Sequence, residues 1–392
     1  MKILYVTPFF NFPPMDGGSV RSINIFNELN KKNDLFLLTY PCKNLSKFIS
    51  PNRITFVDSR VNNPKRKNII TRFISTSAPG FSSHNPLSIE SSITNLIKKN
   101  GEFDIIYFST QLMAQVLLYK NWNSLIFIDF FDIYSSVIER KIMLTKKTSP
   151  YNLIFYKELR KILSIERKIS RKSDLIIAIS NHDRNILKKY TSNKCITLQN
   201  GVRIPSKKWD NSSNKKIMMV GNFYHEPNIE GLNWFLNKVW KNIIQCNQNY
   251  VFDIVGQFPK EYSYLSLEFP NINLKGEIKK LGDLYRRSGC AIVPIRYGGG
   301  INHKVLEAMA YGIPIVSTSF GARGISHDGM LNIADTPKIF EESIIHILEN
   351  PKMYYKNSKT GRNVIKSKYK WEIQCKHLMD EVKLLKNKKI FL

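Results

Sequence analysis

A doubly wound α/β architecture, present twice along the chain, is the fold class this sequence predicts, and three observations carry it. Short apolar runs suited to buried parallel strands alternate with helical patterns through the whole length. Glycine-rich turns join strand to helix in both halves. A polar, turn-forming stretch from Arg203 to Lys216, with Pro205, Asp210, Asn211, Ser212 and Ser213, separates the halves, and 392 residues suit two domains better than one.

In the first half Ile3 to Thr7 is a strand, and Val20 to Asn30 is a helix with Ile23, Phe26 and Leu29 on one side. Asp34 to Thr39 holds a continuous apolar run and Ile54 to Val57 a shorter one. Helix Ile89 to Lys99 precedes strands Asp104 to Phe108 and Ser124 to Asp129. A long helix, Tyr151 to Lys172, leads to strand Asp174 to Ser180. Asn200-Gly201-Val202 is a turn. In the second half Lys216 to Gly221 is a strand, followed by a helix from Asn228, a plausible N-cap, to Trp240. Tyr250 to Val255, Ile272 to Lys275, Ala291 to Ile295 and Ile313 to Thr318 are strands, and Phe340 to Leu348 and Lys370 to Lys386 are helices.

Composition narrows the function. No run of 18 apolar residues exists, so no membrane-spanning helix is expected, and the N-terminal apolar run reads as a first strand, too short for a signal peptide. Five scattered cysteines signal neither a disulfide framework nor a zinc site, and a reducing cytoplasm is the expected setting. Lys and Arg number 59 against 31 Asp and Glu, a net charge of +28 that favours anionic partners. No basic run interleaved with stacking aromatics appears, so nucleic acid is not an expected partner.

The most informative segment runs from Ile292 to Thr318: strand, glycine turn, helix, Gly-Ile-Pro turn, strand. Gly298, Gly299 and Gly300 leave bare backbone before a helix from Asn302 to Tyr311. Free N–H groups and the positive end of the helix dipole make that point an anion site, with phosphate the usual anion. Amides of Gly299, Gly300 and Ile301 would contact it, and Lys304 in the first turn adds a full charge. Glu307, one turn further, would accept hydrogen bonds from sugar hydroxyls. Arg296 either joins the phosphate contacts or faces solvent at the strand end. Gly17-Gly18 opens the first helix of the other half in the same way. Asp129 and Asp132 end a strand at the C-terminal edge, where open α/β sheets hold ligands. Asp132 either contacts an acceptor or caps a helix from Ile133 to Lys141.

Glu307-Ala308-Met309-Ala310 followed by Gly312-Ile313-Pro314-Ile315-Val316 resembles the donor-binding signature of glycosyltransferase family 4, with Gly299 where many members carry a Glu, as in the subgroup with a Gly-Gly-Gly run. Asn200-Gly201-Val202, Val220-Gly221-Asn222 and Ile254-Val255-Gly256 are similar to further family motifs, with Arg203 in place of the usual Asp. The resemblance implies the GT-B fold: two Rossmann-like domains facing a central cleft. Residues 1–199 would form the acceptor-side domain, 200–215 the linker, 216–369 the nucleotide-sugar domain, and 370–392 a helix crossing back to the first domain.

It also implies a retaining, hexosyltransferase-like enzyme that uses a nucleotide-diphosphate sugar as co-substrate and needs no metal or other cofactor. Lys304 would stabilise charge on the leaving diphosphate, and Gly276 and Ile278 would lie on the base-contacting loop. Gly17 and Gly18 would face the diphosphate and acceptor, and Asp129 and Asp132 the acceptor. Phe131 stands where relatives carry a His, while Glu166 and Ser180 read as structural. The acceptor would be a glycan or lipid-linked glycan in bacterial surface polysaccharide synthesis. The alternative is an inactive donor-binding or scaffold protein.

Basic residues cluster between Lys141 and Lys172 (Lys146, Lys147, Lys157, Arg160, Lys161, Arg167, Lys168, Arg171) and at Arg60, Lys65, Arg66, Lys67 and Arg72. With Leu153, Phe155, Leu159, Ile162, Leu163 and Ile169 at helical spacing, they predict either an anionic membrane surface as partner, on the inner face of the plasma membrane, or a solvated helix with a core side.

Overall fold

A computed structural model describes residues 1–11, 17–42, 45, 49–57, 80–145, 149, 151–210, 215–278, 280–298, 301–327 and 331–390. The expected contacts of Gly299 and Gly300, and the basic residues Arg60, Lys65, Arg66, Lys67, Arg72, Lys146 and Lys147, lie outside them. The chain forms two compact units, Met1–Gln199 with Cys375–Leu392, and Asn200–Gln374.

The first unit is built on a seven-stranded parallel sheet ordered β3-β2-β1-β4-β5-β6-β7. Its strands are β1 (Lys2–Val6), β2 (Asp34–Thr39), β3 (Ile54–Phe56), β4 (Ile105–Phe108), β5 (Leu125–Phe130), β6 (Leu175–Ala178) and β7 (Lys194–Thr197). β4, β5 and β6 are buried at every position, as their unbroken apolar runs require when helices cover both faces. Leu4, Val6, Leu38, Ile106, Phe108, Ile128 and Ile176 share one core with Ile89 and Ile93 of helix Pro86–Asn100. β7 was not expected: Lys194-Cys-Ile-Thr197 is short and only half-buried, so it lacks a buried strand's apolar signature. The C-terminal helix, Trp371–Ile390, bonds to this unit through Lys386 to Asp104 (2.7 Å) and Lys194 to Glu381.

The second unit has a six-stranded parallel sheet ordered β10-β9-β8-β11-β12-β13. Its strands are β8 (Lys216–Val220), β9 (Val251–Val255), β10 (Ile272–Leu274), β11 (Cys290–Val293), β12 (Ile315–Ser317) and β13 (Asn332–Ile333). Phe235, Trp240, Phe252, Phe340 and Ile344 are fully buried at the centre of its core. Among the helices not expected are Gly282–Arg287 and Tyr355–Lys368. The second buries little but Gly361 and Ile365, so its sequence carries almost no apolar stripe.

The strand order reverses beside β1 in one sheet and beside β8 in the other. At such a switch point the loops leaving neighbouring strands diverge and open a crevice at the C-terminal edge. In the second sheet that crevice lies between the loops after β8 and β11. Gly256, ending β9, shows how closely the chain packs there: a Cβ on it would lie 1.7 Å from the Gly221 carbonyl oxygen, and its φ of 143° suits only glycine.

Candidate functional site

In the second unit, three segments converge at the switch point. The loop after β8 leads into helix Glu226–Phe235, whose N-cap is His225. Asn228 is therefore inside the helix and not its cap. Its amide donates to the Asn222 carbonyl (2.8 Å) and its side-chain oxygen accepts from Lys304 Nζ (2.6 Å). The loop after β11 passes Gly298, whose φ of 138° again requires glycine and which faces Pro227. Helix His303–Tyr311 follows, ended by left-handed Gly312.

Lys304 and Glu307 lie on successive turns of this helix. Burial pushes the Lys304 amine down to about 8, against the charge of Glu307. Glu307 is one-third exposed. Its two oxygens lie 3.4 Å from His303 Nδ1 and 3.4 Å from the Tyr285 hydroxyl. Burial alone would raise this carboxyl; His303, Tyr285 and Lys304 outweigh it and hold it below the usual carboxylate range. It is thus an ionised acceptor with open surface at neutral pH. Tyr285 stacks on Tyr311 at 4.9 Å. Ile301 is buried. Arg296 pairs with Glu230 at 2.8 Å, lies over the Trp234 ring and stays half-exposed. Gly276 has a φ of 61°, its carbonyl accepts from the Gly256 amide, and Ile278 beside it is half-buried.

In the first unit, Gly17 and Gly18 open helix Gly17–Asn30. A Cβ on Gly17 would meet the Phe131 ring at 3.4 Å, so this N-terminus and the loop after β5 lie together. Asp129 is only 1% exposed: both its oxygens are bound by Arg21 (2.8 and 3.1 Å), and Tyr107 donates a third bond (2.8 Å). That carboxylate belongs to the core, and its sequence position at the sheet edge gave no sign of the enclosure. Asp132 differs. The helix it was expected to cap is Tyr134–Leu144, with Ile133 at the N-cap and no side-chain cap. The Asp132 backbone carbonyl accepts from Gln111, but its carboxylate makes no hydrogen bond to any described residue. Burial, then the nearby charge of Asp183, pushes it up to about 7.

The capping role falls to Glu166, fully buried, which accepts from the Ser135 hydroxyl (2.5 Å) and amide (3.4 Å) and is pushed up to about 7 by burial. Ser180 caps helix Asn181–Leu187 through Asp183. Sequence reasoning missed Asn228, Tyr285 and His303. A His directly before the expected Lys was a signal for the last; nothing local announces the other two.

On helix Tyr151–Arg171 the core side is Ile154, Glu158, Ile162, Glu166 and Ile169. The expected apolar stripe therefore divides. Ile162 and Ile169 are core, Phe155, Leu159 and Leu163 pack partly buried against core, and Leu153 is 68% exposed.

Residues 214–350, which hold this second-unit site, match the family model described as Glycosyl transferases group 1. An uncharacterised 44.6 kDa protein in the cps region of Klebsiella pneumoniae is 29% identical over 147 residues, 35% of this chain and 38% of that protein. The match thus spans well under half of that relative's length. Sucrose-phosphate synthase from Thermosynechococcus elongatus superimposes with a TM-score of 0.75 at 14% identity, over 98% of this chain and 99% of its own. HepE of Anabaena, solved with UDP, gives 0.66 at 12%, over 98% and 100%. WaaG, a glycosyltransferase involved in lipopolysaccharide biosynthesis, gives 0.65 at 10%, over 96% and 98%. The chain has the GT-B fold, and its residues 214–350 are similar to the family described as Glycosyl transferases group 1.

Proposed function

We propose that the protein is a retaining glycosyltransferase of family 4 that moves a sugar from a nucleotide-diphosphate donor to a glycan or lipid-linked glycan. The observation that carries this reading is the pair on helix His303–Tyr311: a cation at the first turn and an ionised, open carboxylate one turn on. Lys304 and the helix N-terminus stabilise the negative charge that develops on the departing diphosphate. Glu307 accepts hydrogen bonds from paired donor hydroxyls. The leaving diphosphate takes the proton that the acceptor hydroxyl loses as its oxygen bonds to the sugar carbon, and Asp132, an acid titrating near neutrality with no hydrogen-bonded carboxylate partner among the described residues, serves the acceptor side. Solved relatives support the donor class: HepE was solved with UDP and with UDP-glucose, and TarM with UDP, alpha-GlcNAc-glycerol and fondaparinux. The cps-region relative supports a place in polysaccharide synthesis.

A screen of UDP-, GDP- and other nucleotide sugars for thermal stabilisation, followed by turnover with the best, tests the reading. Stabilisation by none of them removes it.

A peripheral membrane role is part of the same proposal, with the protein on the cytoplasmic face. Among the described residues no helix is long and apolar enough to cross a bilayer. Met143 is 81% exposed, and Tyr151, Leu153 and Tyr156 are exposed apolar side chains on the same helix as the exposed Arg160, Arg167 and Lys168. Aromatic and aliphatic groups beside cations suit an anionic interface, at about 1 kcal/mol per well-placed Lys or Arg. Sedimentation with anionic but not neutral vesicles, reversed by salt, is the expected result; recovery in the supernatant with both ends this part.

A further inference from the structure

Among the described residues His303 makes two polar contacts, and both are to acceptors. Its Nε2 lies 3.1 Å from the Gly201 carbonyl oxygen and its Nδ1 3.4 Å from Glu307 Oε1. A neutral imidazole carries one N–H and can satisfy only one of them; satisfying both takes the doubly protonated ring. The carbonyl is not free to turn away. A Cβ on Gly201 would lie 2.5 Å from the Trp371 ring, and the next amide, Val202, donates to the Tyr369 carbonyl at 2.7 Å. Nor is Glu307 free, since its other oxygen faces Tyr285. Gly201 and Glu307 thus fix the ring from two separate segments.

We infer that His303 is a positioning residue of the nucleotide-sugar site and works as the imidazolium, aiming the Glu307 carboxylate from its bond to the Gly201 carbonyl. The inference rests on the donor-site reading above. Glu307 is the charged group facing the ring; the linker side contributes a neutral carbonyl. Tyr285 and Lys304 face Glu307 in turn. Burial alone would lower the His303 pKa, but the Glu307 bond and charge and the Gly201 carbonyl outweigh it, and the group sits above its ordinary 6.5. Because the folded value is raised, the bonded arrangement is fully present below 6.5 and is lost as the pH rises through the raised value. A cation in the first turn of a helix opposes the helix dipole, so an anion arriving there stabilises it. Binding of a nucleoside diphosphate and protonation of His303 therefore strengthen each other.

Side-chain NMR of histidine-labelled full-length protein tests the protonation state without substrate, with His303→Gln identifying the resonance among seven histidines. The expected result is a titration above 6.5 that falls to or below it in Glu307→Gln; a titration at or below 6.5 in the unmodified protein overturns the inference. Calorimetry with UDP and GDP, at pH 6 to 9, tests the role. Affinity of the unmodified protein is expected to fall roughly tenfold as His303 loses its proton. Lys304 loses charge near 8 in the same direction, so the decisive quantity is the limb that His303→Gln removes. Equal pH slopes in protein and variant overturn the positioning role while leaving the transferase reading in place. Absence of nucleotide binding at every pH, with the NMR shift intact, overturns the transferase reading and the donor role with it.

Discussion

At the C-terminal edge of the second sheet the charged groups come in partnerships: Lys304 with Asn228, Glu307 with His303 and Tyr285. At the C-terminal edge of the first, the Asp132 carboxylate has no hydrogen-bond partner among the described residues, although it is desolvated enough to titrate near 7. The difference teaches how each edge can work. Paired groups are already oriented before a ligand arrives, so they suit recognition of a fixed, charged donor. An acid held near neutrality with no hydrogen-bond partner among the described residues can exchange a proton with a ligand at working pH, whereas Glu166, also raised to about 7, is enclosed in the core against Ser135. Asp129, three residues before Asp132, shows the alternative fate: Arg21 and Tyr107 occupy it completely.

Asp132→Asn breaks the comparison most sharply. Turnover is expected to drop roughly 10²-fold or more, as for loss of a general acid–base group, while nucleotide affinity is kept. The rising limb of the rate profile near pH 7 should vanish with it. Stability moves the other way. The raised folded pKa gives this acid a contribution fully present below 3.8 and lost as pH rises through about 7, so the variant should be at least as stable as the parent at pH 8. Normal turnover would leave Asp132 a spectator.

Glu307→Ala sharpens the other side. Losing a charged acceptor should cost about 2–3 kcal/mol of donor binding, or roughly 30- to 150-fold, with an unchanged circular dichroism spectrum. Intact affinity in titration calorimetry would remove Glu307 from recognition.

The smallest contrast is between two cations. Lys304→Ala should slow turnover roughly tenfold and abolish a falling limb above about pH 8, where its amine loses charge. Arg296→Ala, which breaks a half-exposed pair with Glu230, should stay within about twofold. Equal losses in the two variants would place Arg296 among the phosphate contacts.

The two sheets were legible because a strand buried on both faces must be apolar throughout, as Ile105-Ile-Tyr-Phe108 and Leu125-Ile-Phe-Ile128 are. The helix bearing Lys304 and Glu307 was legible too, since a glycine turn followed by a short helix is a local pattern. What the sequence by itself determined is therefore the strands, the turns and which residue types stand at each sheet edge. It did not determine which of those residues are free. Asp129 and Asp132 are near neighbours of one type, yet Arg21 and Tyr107, 108 and 22 residues from Asp129, enclose it alone. Asn228, 76 residues from Lys304, supplies that amine's partner, and Gly201, 102 residues from His303, fixes the ring. Apolar burial is non-directional and averages over many residues, so it leaves a periodic trace in the chain. A hydrogen bond joins two particular atoms, and only the tertiary structure decides which two meet.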